Sequence, residues 1–563
     1  MAVTEAITGT DSDAAASLGL VPKPSAVSVG EGWYELSGPV TVDADEASAS
    51  AVAWLRARLA AASGWEVRDA GGAAGSGGEG AAGGGAAIVL RGSVDGLSAE
   101  GYRLRVRDDG VLIEAGGPAG AFYGAQTLRA LLPAAAYREA PAESAASWRI
   151  RHVEIEDAPR FGWRGTLLDV ARHFLPKHDL LRFIDLIALH KLNVLHLHLT
   201  DDQGWRVEIR GHPQLTDVGG WRHESPLGDR RNTTYAGRPH GGYYTRDDLR
   251  EIIAYAKARH VTIVPEIDLP GHTGAAIAAY PWLGNTDVPG WLDEPQVGTS
   301  WGIFQDVLNL EQRTLDLLFE ILDQVMDLFP AEHVGIGGDE CPTVQWEISP
   351  RAKARIRELG IDGVDGVQSW YAAQLAGRLA TRGRKALVWD ELCEGELPPQ
   401  SVVASWRGYE GAEAAASRGH DTVVCPQGWV YFDYRQSESL DEPVPVGTVT
   451  PLERVYAFEP VPQPPTDALS DHVIGAQCQL WTEHMDSVRS LDYMTFPRLC
   501  AFAETVWSAH ANSAQSRSEA EYADFLQRLS VHEQRLDALG VEYRHASGPL
   551  PWQQRPDAPG FSR

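Results

Sequence analysis

From about Arg160 onward, short apolar runs alternate with amphipathic helical patterns, and this rhythm restricts the fold more than any other feature of the chain. The runs are Gly165–Ala171, Asn193–Thr200, Val261–Asp268, His333–Gly338, Lys385–Glu391, Ser401–Trp406, Thr422–Pro426 and Val473–Trp481. Helical patterns fall between them at Lys177–His190, Thr245–Arg259, Arg313–Leu328 and Val367–Arg382, the second opened by a capping-box sequence, Thr245-Arg246-Asp247-Asp248. Strands apolar on both faces and separated by helices belong to buried parallel sheets. Eight of them predict an α/β fold, a (β/α)8 TIM barrel with insertions. An open doubly wound sheet would show the same alternation. The reactive side chains favour the barrel. Arg172, Asp201, Asp268, Asp339, Trp389, Trp406 and Trp481 each fall at the C-terminal end of a different run, and a barrel gathers those ends into one rim.

The chain before this point reads differently. Residues 1–18 are small and polar, and are expected to be disordered. Residues 19–150 alternate short β-like runs (Val40–Val42, Ala87–Leu90, Tyr102–Val106, Val111–Ile113) with helical patterns at Ser48–Ser63 and Gly117–Leu132, which suggests a small α+β domain preceding the barrel. Gly71–Ala87 is almost wholly Gly and Ala and reads as a flexible loop. The barrel is assigned 151–515. The final stretch, 516–563, is read as one more helix (Ser518–Leu539) and a tail, packed on the barrel.

A net charge of −28 argues against nucleic acid or an anionic membrane as partner. Cys341, Cys393, Cys425, Cys478 and Cys500 show no Cys-x-x-Cys spacing, and their odd number favours free thiols in a reducing compartment. Met1–Leu20 shows neither a basic n-region nor an apolar h-region, and no run approaches the length of a membrane span. A cytoplasmic protein without membrane partners is the expectation.

Chemistry concentrates in Val334-Gly335-Ile336-Gly337-Gly338-Asp339-Glu340-Cys341. Here a buried strand breaks into glycines and then into two acids. Consecutive strand residues point to opposite faces, so both charges are not casual surface decoration. In a chain with 18 tryptophans, such a pair suggests acid/base work on a sugar.

Five motifs in order strengthen that reading: Leu168-Asp169-Val170-Ala171-Arg172-His173-Phe174, His196-Leu197-His198-Leu199-Thr200-Asp201-Asp202-Gln203-Gly204-Trp205, Pro265-Glu266-Ile267-Asp268-Leu269-Pro270-Gly271-His272, Gly337-Gly338-Asp339-Glu340 and Trp481-Thr482-Glu483. With them the chain closely resembles family 20 glycoside hydrolases, the β-N-acetylhexosaminidases, from about Leu20 to Arg544. The resemblance implies an exo-acting retaining enzyme that removes terminal β-linked N-acetylglucosamine, with N-acetylgalactosamine also admitted. Its nucleophile is the substrate's own acetamido oxygen, which forms an oxazolinium intermediate, an exception to the two-carboxylate scheme. A small oligosaccharide or glycoconjugate is the expected partner, with no cofactor and no metal.

The resemblance makes Glu340 the general acid/base, and acid catalysis calls for its pKa to be raised. It gives Asp339 the acetamido N–H and Tyr431 the acetamido oxygen. Arg172 would grip O3 and O4, Asp433 and Glu483 would accept from O4 and O6, and Trp389, Trp406 and Trp481 would wall the pocket. His272 and Asp201 would form a relay behind Glu340, and Asp268 would support the same loop. His196 and His198 share strand parity and are expected to fill the barrel interior. Trp205 and Trp291, in long loops, are candidates for the leaving-group side. The chain departs from the family at Gly335, where a histidine is usual; His333, of the same parity, is the candidate to fill that space. A metal-dependent hydrolase built on Asp201, Asp268, His272, Asp339 and Glu340 lacks the usual ligand spacing at a strand end. A silent sugar-binding protein would be expected to lack Asp339 or Glu340.

Overall fold

The computed structural model describes residues 15–70, 87–142, 147–228, 234–461, 465–509 and 517–555. Most of the expected disordered start and all but the last residue of the Gly/Ala loop lie outside them. By internal contacts the chain divides into two units. The first holds the chain through Phe161, together with Leu189–Lys191 and Leu499–Tyr543; the second holds Gly162–Ala188, Leu192–Arg498 and the chain from Arg544 onward.

The first unit is built on a seven-stranded mixed sheet. Its strands are β1 (Ala26–Leu36), β2 (Val40–Ala44), β3 (Val67–Asp69), β4 (Ile88–Arg91), β5 (Tyr102–Arg107), β6 (Gly110–Ala115) and β7 (Trp148–Asp157), in the order β1-β7-β5-β6-β4-β2-β3. Strand β5 shows why it pairs: Tyr102, Leu104 and Val106 are buried while Arg103 and Arg107 are exposed, the two-residue period of a half-buried strand. Helices Ala49–Ser63 and Pro118–Leu131 pack together in this unit, each within a residue of expectation. Pro118 opens the second helix, where its fixed φ suits the first turn. Strands β1, β3 and β7 were not anticipated. Neither was order in the last part of the N-terminal segment, where Ala16 and Leu18 are buried.

The C-terminal helix, Glu519–Ala538, groups with this unit by its contacts. Its buried cations explain the grouping. Arg528 pairs with both oxygens of Glu504 at 2.7 Å, and Arg535 donates to the carbonyls of Leu18 at 2.7 Å and Ala130 at 2.6 Å. A buried guanidinium needs such partners to offset its lost hydration.

In the second unit, β8 (Trp163–Asp169), β9 (Val194–His198), β10 (Thr262–Glu266), β11 (His333–Gly337), β12 (Lys385–Trp389), β13 (Val402–Ser405), β14 (Thr422–Val424) and β15 (Val473–Leu480) close into a barrel of parallel strands. All residues of β8 and β9 are buried, polar Arg164, Asp169, His196 and His198 included, so neither strand shows the alternation of a half-buried one. The predicted helices stand between the strands at Lys177–Leu189, Arg246–Lys257, Gln312–Leu328 and Gly366–Ala380. The Thr245 hydroxyl accepts the Asp248 N–H while the Asp248 carboxylate accepts the Thr245 N–H, both at 3.1 Å, as a capping box requires. The register of β11 against β12 slips between Gly335 and Gly337. A bulge of this kind ends regular pairing and re-aims the residues that follow, which here are the two acids.

Candidate active site

Every rim position read from the sequence lies at or just beyond the C-terminal end of a barrel strand. Arg172 follows β8, Asp201 follows β9, and Asp268 and His272 follow β10. Asp339 and Glu340 follow β11, Trp389 ends β12, Trp406 follows β13, Tyr431 and Asp433 follow β14, and Trp481 and Glu483 follow β15. Arg172, Asp339, Glu340, Trp389, Trp406, Tyr431, Asp433, Trp481 and Glu483 line one pocket of about 180 Å³. Gln427, Tyr434 and Val446 complete its wall. These three were missed, although Tyr434 directly follows Asp433 and bonds Gln427 at 2.8 Å.

The turn that presents the acids depends on glycine. Gly337 has φ +68°, and a Cβ there would fall 1.6 Å from Asp268 Oδ1. Only glycine fits that approach. Glu340 (φ +42°) and His272 (φ +51°) adopt the same left-handed region with full side chains, at about 1–3 kcal/mol each. The turn buries Asp339 and leaves the Glu340 side chain 37% exposed.

Behind the pocket runs a chain of alternating charges. Glu266 Oε2 accepts from His198 Nδ1 at 2.6 Å, and His198 Nε2 donates to Asp201 Oδ2 at 2.8 Å. Asp201 Oδ2 also meets Arg172 Nη2 at 2.8 Å, and its Oδ1 accepts from His272 Nδ1 at 3.2 Å. His272 Nε2 then stands 3.5 Å from Glu340 Oε2 and 3.9 Å from Asp339 Oδ2. Burial opposes the His198 and His272 cations, but the flanking carboxylates outweigh it and hold both well above the usual imidazole range. His196 and His198 do fill the barrel interior, as expected. That His198 and Glu266 also anchor Asp201 was not read from the sequence. The acids and His272 lie close enough to gather a cation, yet His198 and His272 turn both ring nitrogens toward carboxylates. A metal ligand needs a neutral imidazole with a free lone pair.

Glu340 departs from the expected raised pKa. Burial raises it, but the His272 hydrogen bond and charge, with Arg172, bring it below the ordinary carboxylate value. In the open pocket the proton therefore belongs to His272. Asp339 moves the other way, to about 6, mainly through burial, with His272 opposing and Glu266 and Glu340 adding to the rise. Burial keeps Tyr431 a phenol, with the Trp481 indole opposing the rise, so its O–H is retained to donate.

Two expectations fail. Trp205 is 2% exposed with its indole N–H on the Val207 carbonyl, and Trp291 packs against Gly284; neither lines the pocket. His333 does not fill the space at Gly335 but meets the Trp163 ring edge-on at 5.5 Å. Glu266 fills it instead: a Cβ at position 335 would lie 2.7 Å from Glu266 Cβ. Gly335→Ala should therefore cost about 1–3 kcal/mol by overpacking, seen as a lower unfolding midpoint in urea. An unchanged midpoint would show that Glu266 moves aside freely.

Carboxylates and indoles gathered on the C-terminal rim of a (β/α)8 barrel make this a sugar-processing site. The profile described as glycosyl hydrolase family 20, catalytic domain, matches residues 161–510, and that of glycosyl hydrolase family 20, domain 2, matches residues 17–158. The chain belongs to glycosyl hydrolase family 20. It is 39% identical to a beta-hexosaminidase of Porphyromonas gingivalis over 81% of its own length and 56% of that protein. It is 34% identical to a beta-hexosaminidase of Vibrio furnissii over 87% of its length and 76% of that one. An exo-beta-N-acetylglucosaminidase of Vibrio harveyi, solved with N-acetylglucosamine, superposes with a TM-score of 0.80 at 30% identity, covering 94% of this chain and 78% of the other.

Proposed function

We propose that the protein is an exo-acting, retaining β-N-acetylhexosaminidase that removes terminal, non-reducing β-linked N-acetylglucosamine, and also N-acetylgalactosamine, through an oxazolinium intermediate. One observation carries the reading most directly. Asp339 Oδ1, Asp433 Oδ1, Glu483 Oε2 and Trp389 Nε1 are all buried, belong to residues lining one pocket, and have no protein partner. Buried polar groups are nearly always satisfied, so a cluster of unsatisfied ones around one pocket fits a ligand dense in hydroxyl and amide groups.

Each group then has a task. Arg172 grips O3 and O4, while Asp433 and Glu483 accept from O4 and O6. Burial pushes Glu483 to about 7, against the pull of Arg172, so near neutral pH it can donate or accept. Asp339 holds the acetamido N–H, and the Tyr431 O–H donates to the acetamido oxygen, aiming it at C1. As the oxygen attacks, the C1–O bond breaks and Glu340 gives its proton to the leaving oxygen. Docking of the sugar covers Glu340, and lost hydration raises its pKa, drawing the proton from His272. Water, deprotonated by Glu340, then opens the oxazolinium with retention.

The five thiols are free, four of them buried, and they support a reducing, cytoplasmic setting. Among the described residues no helix is long and apolar enough to cross a membrane. Nucleic acid and membrane remain outside the partners proposed.

Initial rates on aryl β-N-acetylglucosaminide, β-N-acetylgalactosaminide and β-glucoside test the proposal. The first two should be cleaved and the third should not; comparable cleavage of the glucoside would refute acetamido participation. The pH profile is a second check. Asp339 must be ionised to balance the oxazolinium charge, and with a raised pKa it is protonated below about 6 and ionised above. kcat/KM should therefore fall as pH drops through about 6, since this parameter reports the free enzyme. A flat profile down to the ordinary carboxylate range would count against the assignment.

A further inference from the structure

Glu391 has no task in the mechanism above. It sits in the short turn Asp390–Glu394 that closes β12, and it does not line the pocket. Its carboxyl group stands against the indole N–H of Trp406, at 3.1 Å from Oε1 and 3.0 Å from Oε2. Trp406 does line the pocket, and its ring stacks against Tyr431 with centroids 6.2 Å apart and planes 28° from parallel. An indole has one polar atom, a donor. In Trp406 that atom is pinned from behind while the ring face is held by Tyr431. Trp389, in the same pocket, has no partner for its Nε1.

The acidic neighbour is otherwise engaged. Asp390 accepts from Ser405 Oγ at 3.2 Å and from Arg407 Nε at 3.1 Å, and Arg407 also reaches Glu394 at 2.6 Å. Among the described residues, Trp406 is the only side chain hydrogen-bonded to Glu391.

We propose that Glu391 is a positioning residue for the acyl pocket: by holding the Trp406 indole from behind, it fixes the wall against which the substrate's N-acyl group packs and thereby sets the size of acyl group accepted. This rests on the reading that the 2-acetamido group docks beside Trp406 and Tyr431. Burial and the nearby Asp339 charge push Glu391 up to about 8. At neutral pH a neutral acceptor of the same shape can therefore replace it.

The test compares kcat/KM on aryl glucosaminides carrying N-acetyl or N-propionyl groups, for the wild type, Glu391→Gln, Glu391→Ala and Glu391→Met. One methylene against a fixed apolar wall discriminates by about 10–200-fold. Glu391→Ala and Glu391→Met, which lack the acceptor, should raise the propionyl-to-acetyl ratio by about 10-fold. Glu391→Gln, whose carbonyl can take the same N–H, should keep the wild-type ratio. General destabilisation lowers both rates together and leaves the ratio alone. Should the alanine variant fail to fold, the methionine variant, similar in length, decides. An unmoved ratio in the acceptor-free variants, or a glutamine variant that behaves like them, overturns the proposal. A wild type that cleaves the plain glucoside as well as the N-acetyl substrate refutes the hexosaminidase reading instead.

Discussion

Glu340→Gln should lower kcat by about 10²–10⁴-fold on substrates with a sugar or alkyl aglycone, the usual worth of a positioned acid. The side chain is 37% exposed and 3.5 Å from His272, so an amide of the same shape fits without disturbing the core. The left-handed backbone at residue 340 is equally strained with either residue. What changes is the proton: an amide has none to give and cannot take one from water. The loss should shrink as the aglycone becomes more acidic, because a stable phenolate departs unaided. A series of aryl substrates with graded phenol pKa checks this. The variant should depend steeply on leaving-group acidity where the wild type is nearly flat. Near-normal rates, or a loss independent of the leaving group, would remove Glu340 from the role.

The barrel was legible because strands buried on both faces leave continuous apolar runs, which survive errors at their ends. The first run was read as Gly165–Ala171, whereas the strand is Trp163–Asp169. Strand β1 was not legible: Val27 and Val29 alternate with exposed neighbours, as do Tyr34 and Leu36, but the phase changes where Gly30 and Gly32 lie in the register shift between Val29 and Trp33, and most of the strand is exposed. Strand β7 did carry a signal, since Trp148, Ile150, Val153 and Ile155 are all buried, but His152 breaks the alternation. The C-terminal helix could be recognised, but an apolar stripe does not say which surface it meets. The buried Arg528 and Arg535 decide that through the carbonyls of Leu20, Leu18 and Ala130, hundreds of residues away.

The site divides along the same line. Rim residues were legible because each ends its own strand, so position in the sequence implies position in space. The Glu266–His198–Asp201 chain was not, because its links cross between strands and Glu266 reads as one more strand residue. The direction of the Glu340 shift was beyond reach for the same reason. It is the balance of burial against His272 and Arg172, neither of them near it in sequence.

Asp339→Asn should lower kcat/KM on N-acetyl substrates by about 10²–10³-fold, the scale on which one preorganised partner of a developing charge acts. Asp339 Oδ1 is buried and unpartnered, and the carboxylate stands 3.9 Å from His272. An asparagine turned to accept the acetamido N–H keeps the hydrogen bond but not the negative charge that offsets the oxazolinium. The loss should therefore fall on the step that forms that cation, and the decline in kcat/KM below about pH 6 should disappear with it. Any slow cleavage of a plain β-glucoside, which has no acetamido oxygen to close an oxazolinium ring, should be nearly unaffected. Stability gives an independent control. The folded pKa of Asp339 lies above the ordinary value, so the carboxylate's penalty is absent at low pH, grows as pH rises through the ordinary carboxylate range, and is fully present above about 6. At pH 7 the asparagine variant should unfold at the same or a higher temperature than the wild type. An equal loss on N-acetyl and plain substrates would mean that Asp339 serves the fold or the proton relay, and not a nucleophile carried by the substrate.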